Sequence, residues 1–151
     1  MPRPCQGRGR VDSCQEMPGT LGRTSGTGFY DPNIHAVMIA ATQSKRLYAS
    51  TVREVFTSDD LGETRQPLHI KQKWPLPYAR GMMVKADDPG VLFAGCGETT
   101  AGEMGHVLST TNFGESWEIL PLPNQPDATV WGLAAHPADA NRIGAFLGVE
   151  A

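Results

Sequence analysis

Residues 57–65 read Thr-Ser-Asp-Asp-Leu-Gly-Glu-Thr-Arg, and residues 109–117 read Ser-Thr-Thr-Asn-Phe-Gly-Glu-Ser-Trp. Set one above the other, 52 residues apart, they share a hydroxyl, an Asp or Asn, a Gly, a Glu and a second hydroxyl in the same order. A second landmark recurs at almost the same distance. Arg80-Gly81-Met82, followed by Asp88 and Leu92, matches Trp131-Gly132-Leu133, followed by Asp139 and Ile143, at 51 residues. Two landmarks at one spacing define a tandem repeat of about 51–53 residues, a period that belongs to arrays and propellers.

The matched stretch has the chemistry of a tight turn. An Asp or Asn side-chain oxygen accepts hydrogen bonds from backbone N–H groups further on. Gly takes a positive φ at no steric cost. The hydroxyls cap further backbone groups, and Trp117 lays apolar area over its turn. These residues close a hairpin and form no reaction centre.

Outward from the turns, short apolar runs recur: 35–41, 46–50, 54–58, 81–85, 91–96, 106–110, 117–120, 130–135 and 143–148. None has the 3.6-residue period of a helix, and turn residues separate them, so they read as strands of an all-β protein. Each repeat holds four. One follows Arg80 or Trp131, a turn leads to the second, the third enters the matched motif, and the fourth ends at Pro75-Leu76-Pro77 or Pro121-Leu122-Pro123. Four antiparallel strands at this period are a β-propeller blade. The chain accommodates about two to three blades, an incomplete propeller.

The motif resembles the Asp-box, or BNR, repeat of sialidase-like β-propellers. Similar boxes occur in the sortilin ectodomain and in photosystem II assembly factors. Ser58, Asp60, Gly62 and Thr64 match in the first copy, with Arg65 where an aromatic belongs. Thr110, Gly114, Ser116 and Trp117 match in the second, with Asn112 for Asp. The resemblance covers residues 34–151 and implies a structural role for the boxes. These residues hold about two and a half blades where a closed propeller needs at least four, so the chain is expected to be a fragment of a longer array, with self-association or exposed open ends as the alternatives.

Residues 1–33 stand apart. Rich in Arg, Pro, Gly and Ser, they lack an apolar period and read as a flexible or non-native tail before a partial propeller domain, 34–151. No apolar core follows the arginines, so no secretory signal is recognisable. Asp12 and Glu16 argue against a transit peptide, and Gly22–Gly28 lacks the Lys of a phosphate loop. The bulk figures agree with a folded β domain. Of 151 residues, 40% are hydrophobic and 19% charged, and the 17 glycines and 12 prolines supply many turns. A net charge of −3 does not favour nucleic acid, and no apolar run approaches membrane-span length. The compartment stays open. Three cysteines, Cys5, Cys14 and Cys96, argue against a disulfide framework. The scattered His35, His69, His106 and His136 define no metal site, and no cofactor is implied.

Aligning the repeats locates one difference. Ser50 to Ser58 spans eight residues, whereas Gly95 to Thr110 spans fifteen. The extra seven fall in a mobile-looking loop around Gly97–Gly105. In an up-and-down blade this loop lies on the face opposite the matched turns, as do the links between blades. Tyr78, Arg80, Glu98, Glu103 and Trp131 are therefore the candidate binding rim, with Arg80 and Trp131 starting innermost strands. The alternative for the same residues is a solvated loop with Arg80 and Trp131 packing blade on blade. No residue is assigned as catalytic: the arginines show no triad, and Glu98 and Glu103 are the only carboxylate pair worth testing. The expected function is a non-catalytic binding or scaffold module for a protein or carbohydrate ligand, or a fragment without independent activity. The alternative is a glycoside hydrolase of the sialidase-like type.

Overall fold

The structure is a computed structural model that describes residues 33–40 and 43–148. All but Asn33 of the expected tail lies outside the described residues, as do Cys5 and Cys14. The described chain forms ten strands and one 3-10 turn. The strands are β1 (Ile34–Ala40), β2 (Gln43–Thr51), β3 (Val55–Ser58), β4 (Gln66–Pro67), β5 (Tyr78–Val84), β6 (Leu92–Gly97), β7 (Gly105–Thr110), β8 (Glu118–Ile119), β9 (Val130–His136) and β10 (Asp139–Leu147). They make three antiparallel sheets in the orders β1-β2-β3-β4, β5-β6-β7-β8 and β9-β10. Two are complete up-and-down blades, and the third sheet is the inner half of another. The first strands β1, β5 and β9 lie side by side, as innermost strands do around a propeller axis.

The repeat maps onto these sheets as the turn spacing requires. Leu47 pairs with Ser58 in blade 1, and Leu92 with Thr110 in blade 2, so the two sheets share one register. The fourth strands are shorter than expected, two residues each. In blade 1 the chain leaves β4 through a 3-10 turn, Ile70–Gln72, before it reaches the prolines. Blade 2 has no counterpart to this segment, and its apolar residues enter the core.

That core lies between blades 1 and 2. Tyr48 and Val55 of blade 1 meet Ala79, Met82, Leu92, Ala94, Cys96 and Leu108 of blade 2, with Leu68, Ile70 and Trp74 of the 3-10 segment filling in. Each large side chain buried there contributes roughly 1.5–3 kcal/mol. Trp74 meets Trp117 edge to face, 5.2 Å between ring centres. Burial pushes the Cys96 thiol up to about 11, so it behaves as a small core residue.

The two matched turns have the same bonding scheme. In blade 1, Ser58 Oγ donates to Asp60 (2.8 Å) and accepts from the Gly62 N–H (2.8 Å), while Asp60 accepts from both the Thr64 N–H (2.8 Å) and its hydroxyl (2.6 Å). In blade 2, Thr110 Oγ1 donates to Asn112 (2.7 Å) and accepts from Gly114 N–H (3.2 Å), and Asn112 Oδ1 accepts from Ser116 N–H (3.0 Å). Trp117 Nε1 donates to Gly114 O (3.1 Å). Gly62 and Gly114 have φ of 91° and 87°. The residues before them, Leu61 and Phe113, are also left-handed, at 60° each, a strain the sequence did not announce. In both blades the same residue is anchored through its N–H: that of Leu61 donates to Lys45 O (3.0 Å), and that of Phe113 to Gly90 O (3.0 Å). The blade 1 turn is thereby pinned to the start of β2, and the blade 2 turn to the β5–β6 connection.

Blade 3 docks on blade 2 where side chains are missing. A Cβ on Gly95 would lie 2.6 Å from Val130 Cγ1, and one on Gly97 would overlap the Thr129 side chain. The absent side chains let β9 approach the second strand of its neighbour at van der Waals distance.

Candidate functional site

Each innermost strand carries a β-bulge at the same level. The register shifts between Ile34 and Ala36, between Ala79 and Met82, and between Val130 and Gly132, opposite Leu147 and Phe146. Bulges re-aim side chains and collect next to functional sites. The bulged residues are His35, Arg80 with Gly81, and Trp131. They occupy equivalent positions in the three blades, on the face opposite the matched turns.

The structure brings three of the five rim residues into direct contact. Arg80 Nη1 donates to the Tyr78 hydroxyl (3.2 Å). The Arg80 guanidinium lies over the Trp131 ring, 4.6 Å from its centre, a cation–π geometry. Tyr78, 8% exposed, packs its ring on His35 at 5.5 Å. His35 Nδ1 bonds Ala79 O (2.8 Å), and Ser50 Oγ donates to Arg80 O (3.1 Å), so backbone and side chains fix the row together. The result is a continuous line, His35–Tyr78–Arg80–Trp131, running across all three blades.

His35 is the member that reading the sequence missed. Arg80 and Trp131 lie 51 residues apart, but His35 precedes Arg80 by only 45. The difference arises mainly because blade 1 lacks the loop insertion. Correcting the offset for those seven residues alone points to Ala36; the path from the matched turn to the next innermost strand is one residue longer in blade 1, and the strand register is what places His35.

Glu98 and Glu103 are placed differently. Both are exposed, and both belong to the connection 98–104 between β6 and β7. Neither side chain bonds Tyr78, Arg80 or Trp131 among the described residues. The loop itself is tied down, contrary to its mobile-looking composition. Thr129 Oγ1 donates to Thr99 O (2.6 Å), Thr129 N–H to Gly102 O (3.2 Å), and Trp131 Nε1 to Thr100 O (3.0 Å). Three of its carbonyls thus face the next blade, where hydrogen-bond donors meet them.

Among the described residues no three His, Cys, Asp or Glu side chains cluster as metal ligands, and no helix is long and apolar enough to cross a membrane.

No family model matches the chain, and no curated protein matches it. Solved structures do. An ancestral GH74 enzyme superposes with a TM-score of 0.60 at 17% identity, covering 76% of this chain and 16% of that one. The GH74 enzyme of Niastella koreensis gives 0.53 at 17% identity, covering 71% and 17%. The chain therefore spans about a sixth of the length of either enzyme. At this identity the likeness is one of fold. With the sheet topology, it makes the described chain a stretch of β-propeller: two four-stranded blades and the inner half of a third.

Proposed function

We propose that the chain is the ligand-facing part of an Asp-box propeller, and that it binds a glycan without hydrolysing it. The bonding scheme repeated at Ser58–Thr64 and Thr110–Ser116 supports the Asp-box assignment. The observation that carries the functional reading is Trp131. Its indole is held by Arg80 and by Thr100 O, yet 39% of the residue remains exposed. A flat aromatic surface already fixed in place loses little conformational entropy when a ligand arrives, and it suits the C–H face of a sugar ring. Tyr78, Arg80 and His35 beside it are the few convergent polar groups that a binding site uses to orient its ligand.

Hydrolysis makes a different demand. It needs two carboxylates facing each other across the scissile bond. The rim's carboxylates, Glu98 and Glu103, share one connection and are both solvent-exposed. Affinity electrophoresis of the full chain through gels containing hydroxyethyl cellulose, laminarin, galactomannan or mucin tests the proposal. We expect retardation in at least one gel, lost in Trp131→Ala. Turnover of a fluorogenic glycoside panel that disappears in Glu98→Gln or Glu103→Gln would overturn it in favour of a glycosidase.

A further inference from the structure

We propose that the Glu98–Met104 connection, the insertion that distinguishes blade 2 from blade 1, is a brace that sets the orientation of the Trp131 indole, with Thr129 as its positioning residue. The inference rests on the binding reading above only for its purpose; its geometry stands separately.

In blade 1 the corresponding connection closes on itself. Thr51 N–H and Thr51 Oγ1 both donate to Glu54 O, at 2.8 and 3.1 Å. It reaches the next blade through one backbone bond, Ala79 N–H to Val52 O (3.3 Å). In blade 2 the longer connection accepts three hydrogen bonds from the next blade, one from a backbone N–H and two from side chains, and all three come from Thr129 or Trp131. Thr129 is fully buried, with no exposed surface. It is enclosed by Gly97, by Thr99 O and by Gly102, where a Cβ would lie 3.2 Å from the Thr129 hydroxyl. Its own carbonyl accepts from Gly148 N–H (2.8 Å), fixing it within blade 3.

The order of the bonds gives the brace its effect. Thr99 O is pinned by the Thr129 hydroxyl, and the next carbonyl along, Thr100 O, receives the indole N–H of Trp131. Thr129 and Trp131 lie two apart in the chain, at the start of β9, and both donate to this one connection. A side chain on blade 3 therefore holds the acceptor for another side chain on blade 3, through a loop of blade 2. Gly148 fits against the same N–H edge of the ring, since a Cβ there would overlap Nε1 and the carbons beside it. The indole is thus held at its N–H edge by Thr100 O and Gly148 and over its face by Arg80 before any ligand arrives.

Indole N–H exchange with water, measured by NMR on the 15N-labelled full chain, tests this. Trp117 supplies an internal reference, because its Nε1 is bonded to Gly114 O within its own turn. Thr129→Val removes the hydroxyl and keeps the shape. We expect Trp131 exchange to accelerate roughly two- to tenfold, the range that one net hydrogen bond represents, with Trp117 unchanged and Thr129→Ser restoring the wild-type rate. Equal acceleration at both indoles, as general destabilisation would produce, overturns the brace. So does an unchanged Trp131. If Thr129→Val does not fold, Thr129→Ala is judged by the same two outcomes, against Thr129→Ser. The two proposals separate cleanly. A brace seen by exchange in a protein that no glycan retards sinks the binding reading alone. A retarded protein with unchanged Trp131 exchange in the variant sinks the brace alone.

Discussion

Asp60 shows how one side chain can organise a turn. It accepts the Thr64 hydroxyl and the Thr64 N–H and the Ser58 hydroxyl, and these bonds hold its carboxyl at about 2. All of them favour the charged form. The unfolded chain titrates near 4, so the folded value is depressed. The stabilisation is therefore fully present above about pH 4 and is lost as the pH falls through 2. Asn112 does the same work in blade 2 without a charge. Its Oδ1 accepts from Ser116 N–H, and its amide donates to Ser116 Oγ (2.8 Å). Asp60→Asn copies that arrangement. We expect denaturant midpoints of the wild type to fall between pH 4 and pH 2, and those of Asp60→Asn to fall less over the same range. Parallel curves would show that Asp60 is not the group that titrates. The motif's hydroxyls, Asp/Asn and Gly were legible because a reverse turn can be closed only by a few residue types in a fixed order. The left-handed Leu61 and Phe113 were not, because the carbonyls that their N–H groups meet, Lys45 O and Gly90 O, come from distant parts of the chain.

At the scale of elements, the blades are held together by segments that the repeat does not share. The 3-10 segment after β4 brings Leu68, Ile70 and Trp74 into the interface, and Trp74 meets Trp117 edge to face. Such a pair contributes about 0.5–1.5 kcal/mol beyond area burial. A double-mutant cycle of Trp74→Leu and Trp117→Leu, read by equilibrium denaturation, should return a coupling of that size. A coupling near zero would mean that the two rings merely share a space. Across the outer turns, the Arg46 guanidinium of β2 lies 4.4 Å from the Phe113 ring centre and pairs with Asp59, joining blade 1 to the blade 2 turn. The strands themselves were readable, because short apolar runs between turn residues are local. Their ends were less so: β4 and β8 have two residues each, since an outermost strand has one neighbour to keep it extended. The rim was half readable. Arg80 and Trp131 followed from the repeat, whereas the bulges that aim them, and His35, required the register between strands.

At the scale of the molecule, the described blades form an open array. Val37 and Ile39 are exposed on β1, and Phe146 and Leu147 on β10, whose outer edge has no strand beside it among the described residues. The face opposite the matched turns carries the line His35–Tyr78–Arg80–Trp131, to which every described blade contributes. The central claim is that this line, with Trp131 as its platform, is where a glycan binds. The most direct measurement is a titration of the 15N-labelled full chain with cello-, laminari- and manno-oligosaccharides, following the three indole N–H signals. The account predicts that Trp131 shifts with saturation while the interface residues Trp74 and Trp117 stay in place, and that Arg80→Gln weakens the response. Saturable binding that leaves Trp131 unmoved, or no response to any of these sugars, would contradict it.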